Sequence, residues 1–240
     1  MRKVASTEIT NLLKRNNIDN PLFHIHFLNE ENLERNKKKF IGKDLPGHYY
    51  NTKKVLNYYK KDREIILITV VRDPVAQMLS AIFGNPIIHY PFLICKDGSI
   101  DEEKLLEYIN KRIEEMKASV FDWFNYEFKK STGLSILDCQ YDTVKGYGVT
   151  RYKNFKILVI SLEKLNENYK EALGQLLNRR LKQPLSRSNE NKDGFYTQQY
   201  EAVKKKVKLN KGDLEQVYSH DYVRFFYDNQ MIQSFISRWS

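Results

Sequence analysis

Cysteine is nearly missing from this sequence: Cys95 and Cys139 are the only two in 240 residues. A disulfide framework or a zinc site is therefore not expected, and a reducing cytoplasm is the expected compartment. Long apolar runs are missing too. The longest, Ile65 to Val71, is interrupted by Thr69 and falls far short of the ~20 residues that cross a bilayer. No N-terminal stretch has the basic, apolar, small-residue order of a secretory signal. The 10 glycines nowhere form the G-x-x-x-x-G-K-[ST] loop of nucleotide triphosphatases. Acidic side chains are outnumbered, 30 against 40 Lys and Arg, which leaves a formal charge of +10. That surplus favours a polyanionic partner (nucleic acid, anionic membrane, phosphorylated cofactor or acidic glycan) without choosing among them.

Against these absences stands an ordinary globular composition, 41% hydrophobic and 29% charged, which excludes a wholly disordered chain. One domain is expected over 1–240, with a helical C-terminal part, about 195–240, packed on it. Ile9, Leu12 and Leu13 recur at helical spacing after Ser6 and Thr7. Residues 21–28 alternate enough to predict a strand. The β-branched runs 64–71 and 156–162 predict strands buried on both faces, as in parallel sheets. Between and after them, helices are predicted over 74–83, 101–119, 121–131, 168–178, 196–208 and 227–239. Residues 29–61 suggest one or two surface helices, and 86–98 and 183–194 suggest loops. Ser99 and Glu102 have capping-box spacing at the start of the 101–119 helix. Buried strands alternating with helices predict an α/β fold around a parallel sheet.

Three segments carry candidate chemistry. Lys3, Ser6 and Thr7 precede a helix, where unpaired N–H groups and the helix dipole favour an anion; plain helix capping is the other reading. Arg72 follows a buried strand and Ser80 lies eight residues later in a helix. Ligands sit at that edge of open α/β sheets, and Arg offers a donor fork matched to phosphate; the other reading is an Arg paired with Asp73. His24 and His26 alternate, so they share one face of an extended segment, and either could act as a base near neutral pH or be a satisfied packing residue.

Taken together these segments resemble the sulfotransferase fold. Lys3, Ser6 and Thr7 match the loop that cradles the 5′-phosphosulfate of 3′-phosphoadenosine-5′-phosphosulfate (PAPS). Arg72 and Ser80 match the family's 3′-phosphate motif, and His26 matches the position of a catalytic His. The segments RDPVAQMLSAIF, WFNYEFKKSTGLSILD, ISLEKL and YSHDYVRFFYDNQMIQSFISRW are similar to the bacterial capsular polysaccharide synthesis proteins. The resemblance implies a parallel-sheet P-loop fold with helices on both faces. It also implies PAPS as donor substrate, no metal, and sulfuryl transfer to a hydroxyl or amine of a glycan acceptor. Lys3 would stabilise the leaving phosphate and His26 would take the acceptor's proton, with Glu8 as the alternative base. A Gly-rich nucleotide segment is missing late in the chain, and Lys192, with Asn189 and Asn191, is the expected substitute. Only Met1 and Arg2 precede Lys3, so the first strand of that fold is expected to be missing or truncated, the chain being a fragment or its start assigned late.

Two other classes stay open. One is a P-loop nucleotide-binding kinase. The other is a non-enzymatic binder of acidic glycan or nucleic acid, using Lys204, Lys205, Lys206 and Lys208 beside Tyr196 and Tyr200. Nucleic acid is not the expected partner, while peripheral membrane contact is compatible with the charge. Trp123, Phe124 and Phe128, and the tail aromatics Phe225, Phe226, Phe235 and Trp239, read as packing.

Overall fold

A computed structural model describes residues 6–18, 20–38, 45, 47–59, 63–84, 86–185 and 195–240. In chain order the elements are α1 (Ser6–Arg15), α2 (Glu30–Lys37), α3 (Gly47–Tyr59), β1 (Ile65–Val71), α4 (Pro74–Gly84), α5 (Pro86–His89) and α6 (Glu102–Ala118). Then come a π-helical stretch (Phe124–Lys129) that continues into α7 (Lys130–Thr132), β2 (Tyr147–Tyr152), β3 (Phe155–Ser161) and α8 (Leu162–Leu177). The last four are α9 (Phe195–Lys206), α10 (Lys211–Tyr218), α11 (Asp221–Phe226) and α12 (Asn229–Trp239). The chain divides into two compact units. One comprises the described parts of 6–71 and 121–185, and the other those of 72–120 and 195–240.

The first unit contains the sheet, in the order β1-β3-β2. β1 runs parallel to β3, from Ile65 opposite Phe155 to Val71 opposite Ser161. β2 runs antiparallel to β3, so the sheet is mixed rather than parallel. The fold is α/β. Every residue of β3 is buried, the condition under which a strand reads as an unbroken apolar run. Ile9, Leu12 and Leu13 of α1 pack in one cluster with Leu158 and Ile160 of β3 and Leu165, Leu173 and Leu176 of α8. The end of α1 is tied down by Asn16. Its amide donates to the Leu12 carbonyl, and its oxygen accepts from the Lys182 and Gln183 N–H groups after α8.

The segment 21–28 is not a strand, which corrects the sequence expectation. Its backbone is extended, but side chains from elsewhere take its polar groups instead of a neighbouring strand. Asn51 donates to the carbonyl of His24, Trp123 to that of His26 and Thr52 to that of Phe27. Glu127, in the π-helical stretch, accepts from the N–H groups of Leu28 and Asn29 at 2.7 and 2.8 Å. Asn29 then caps α2 by accepting from Glu31 and Asn32. Gly133 closes the helical stretch at φ +76°, a conformation glycine adopts without strain.

The second unit is helical in its described residues. Leu105, Ile109, Ile113 and Met116 form the buried face of α6, as their spacing predicts. The cap of α6 is Asp101, which accepts from the Lys104 N–H, and not the predicted Ser99. Ser99 bonds Asp97 in the preceding turn instead. No helix among the described residues is long and apolar enough to cross a membrane.

Candidate functional site

Two clusters of polar side chains stand at the positions the sequence singles out, one in each unit. In the first unit, Ser6 opens α1 and its Oγ lies 2.8 Å from Nε2 of His24. Burial holds the His24 imidazole below its ordinary value, so the ring is neutral at pH 7. His24 is in edge contact with His26, and His26 in turn with His48, with ring centroids 5.1 and 4.7 Å apart. Trp123 fixes this segment from the side through its indole N–H on the His26 carbonyl, 3.0 Å away. Ser6, His24 and Trp123 line a cavity of about 390 Å³ that extends along β1. Thr7 is exposed, and Glu8, one residue on, is buried. Lys3 and Lys192, with Asn189 and Asn191, lie outside the described residues.

In the second unit, Arg72 comes directly after β1 in the chain and is half-buried, its guanidinium donating to the Tyr200 hydroxyl at 3.4 Å. Asp73, 1% exposed, anchors the start of α4 by accepting from the Val75 N–H at 3.0 Å. The same carboxylate accepts from the Tyr218 hydroxyl at 2.6 Å and from the indole N–H of Trp239 at 2.8 Å. Burial pushes the Asp73 carboxyl up from its ordinary value, and those hydrogen bonds oppose the shift. Ser80 lies within α4, half-buried. Sequence reasoning found Arg72 and Ser80 but not the Tyr200 contact, because a pairing across 128 positions leaves no periodic or local signal. It likewise took Trp239 for packing alone. The indole is fully buried, as packing requires, and is also a hydrogen-bond donor to Asp73.

Residues 97–228 match the model of the family described as "NKWYS: Putative capsular polysaccharide synthesis protein". The chain belongs to this family. The match covers more than half of the 240 residues. No curated protein and no solved structure matches the chain. For this member of the capsular polysaccharide synthesis family, other candidate chemistry is limited. The Cys139 thiol is pushed up to about 11 by burial, which leaves it inert as a nucleophile near neutrality. Among the described residues no group of three or more His, Cys, Asp or Glu could hold a metal ion. The lysine cluster of α9 is partly engaged within its own unit. Lys204 pairs with Glu201 and lies over the Tyr200 ring, and Lys206 pairs with Glu102 of α6 at 3.0 Å.

Proposed function

We propose that this capsular polysaccharide synthesis protein is a sulfuryl-transfer enzyme, with PAPS as donor and a hydroxyl or amine of a carbohydrate as acceptor. The observation that carries the reading is the hand-over at the end of β1. A parallel strand ends at Val71, a half-buried Arg72 follows with a hydroxyl partner, and α4 begins at Pro74. In α/β sheets this is where phosphorylated ligands lie, and a partly desolvated guanidinium, with its planar fork of donors, suits a phosphate. In this reading Arg72 and Ser80 bind the 3′-phosphate of the donor. Ser6 and Thr7, at the start of α1, bind the 5′-phosphate with Lys3, which also stabilises the leaving phosphate. The donor supplies an activated sulfuryl group, so the chain's task is positioning and charge stabilisation.

The acceptor's proton needs a base. His26 holds that role, with Glu8 as the alternative. The neutral His24, bonded to Ser6, keeps the hydroxyl at the first turn of α1 in place. A kinase reading has less support, since the sequence lacks the phosphate loop of nucleotide triphosphatases. Calorimetric titration separates the two. A sulfotransferase binds 3′-phosphoadenosine-5′-phosphate at least about tenfold more tightly than adenosine diphosphate, a gap of about 1.4 kcal/mol. Equal affinity for the two nucleotides, or tighter binding of magnesium adenosine triphosphate, contradicts the proposal.

A further inference from the structure

Arginine has a long, flexible stem, and a guanidinium that is ordered only when its ligand arrives loses affinity to that ordering. A carboxylate could hold it beforehand, but would set an opposite charge against it. The carboxylate next to Arg72 in the chain, that of Asp73, is committed elsewhere in the same unit. It accepts from the Val75 N–H, the Tyr218 hydroxyl and the Trp239 indole. Arg72 donates to the hydroxyl of Tyr200 at 3.4 Å. A hydroxyl carries no charge, so it orients the donor fork without neutralising it.

That hydroxyl is itself held in place. Tyr200 lies in α9, half-buried, and its ring packs on Phe83 of α4 with centroids 5.4 Å apart. Lys204, one turn further along α9, places its ammonium over the same ring, 5.7 Å from the centroid. Phe83 is three residues from Ser80, so the two are neighbours on the surface of α4. Tyr200 thus joins α9 to the stretch of α4 that carries Ser80, and its hydroxyl meets the guanidinium of Arg72. We propose that Tyr200 is a positioning residue of the donor site: it holds the Arg72 fork ready for the 3′-phosphate, and α9 thereby sets the preference for a 3′-phosphorylated nucleotide. This role rests on the sulfuryl-transfer reading above. It gives the lysine-rich helix a part in ligand selection through an aromatic side chain that contacts the guanidinium, with no lysine of the helix needed as a ligand.

The test compares calorimetric affinities for 3′-phosphoadenosine-5′-phosphate and for adenosine 5′-monophosphate, which lacks the 3′-phosphate. Four full-length proteins are titrated, the parent, Tyr200→Phe, Arg72→Ala and the double variant, each shown to be folded by far-ultraviolet circular dichroism. Tyr200→Phe keeps the ring against Phe83 and removes only the hydroxyl. It is expected to narrow the preference for the 3′-phosphorylated nucleotide by about fivefold, the scale of one hydrogen bond, and to leave the affinity for adenosine monophosphate unchanged. Arg72→Ala is expected to remove most of the preference, and adding Tyr200→Phe to it to remove no more. A preference that Tyr200→Phe leaves unchanged overturns the proposal. Equal weakening of both nucleotides marks a purely structural role and overturns it too. A further fall in the double variant means that Tyr200 touches the phosphate itself, and not through Arg72, which also overturns it. A parent with no preference for the 3′-phosphate contradicts the sulfuryl-transfer reading, and the positioning role falls with it.

Discussion

Asp73 is a charge removed from water and surrounded by donors. Its two oxygens hold the start of α4, the Tyr218 hydroxyl and the Trp239 indole, so one side chain joins three helices of its unit. Asp73→Ala leaves two buried aromatic donors without this acceptor. The expected loss is about 2–4 kcal/mol of unfolding free energy, read as a lower denaturant midpoint at unchanged slope. Lys206→Ala serves as a contrast. Its pair with Glu102 is 65% and 64% exposed, and such pairs contribute little. His24 gives the pH dependence. Its folded value is held below the ordinary 6.5 by burial, so the unfolded chain takes up the proton first as the pH falls. Stability is full above pH 6.5 and declines on acidification through the folded value. Denaturant titrations at pH 7.5 and 5 are expected to show a smaller loss in His24→Gln than in the parent, and an identical loss would contradict the assignment.

At the scale of elements, β2 shows what the sequence conceals. The run Tyr147–Tyr152 carries Gly148 and Arg151, which breaks the apolar pattern that made β1 and β3 legible. The turn into β3 is Lys153–Asn154, with Lys153 at φ +52°, where a hairpin signal would have been Asn-Gly. Gly148 is there because the chain passes so close. A Cβ built on it would lie 1.8 Å from the Gln140 carbonyl oxygen. Gly148→Ala must displace that backbone and is expected to cost about 1–3 kcal/mol, measured by thermal or denaturant unfolding. An unchanged midpoint would contradict so tight a passage. Helices were legible wherever one face is apolar, as in α1 and α6. α10 and α11, at 8 and 6 residues, are too short to show a period and escaped notice. Residues 21–28 misled because apolar alternation reports an extended backbone, not what bonds to it. The bonds to that backbone come from Asn51, Trp123 and Glu127, at distant positions.

At the scale of the whole molecule, the sequence placed candidate residues on both units. Ser6 and His24 belong to the first and Arg72 and Ser80 to the second. The Ser6–His24 contact was not legible, because shared extended alternation points to His24 and His26 alike and only the fold distinguishes them. Arg72 was legible because an apolar strand followed by Arg and a Pro-initiated helix is a local pattern. The proposed function stands or falls on that side chain binding a phosphate. The most direct measurement is calorimetric titration of 3′-phosphoadenosine-5′-phosphate into the parent chain and into Arg72→Ala, with far-ultraviolet circular dichroism to confirm that both are folded. Loss of a partly desolvated phosphate partner is expected to weaken binding by about 2–5 kcal/mol. Binding by the parent that Arg72→Ala leaves unchanged, or no binding by the folded parent, would contradict it.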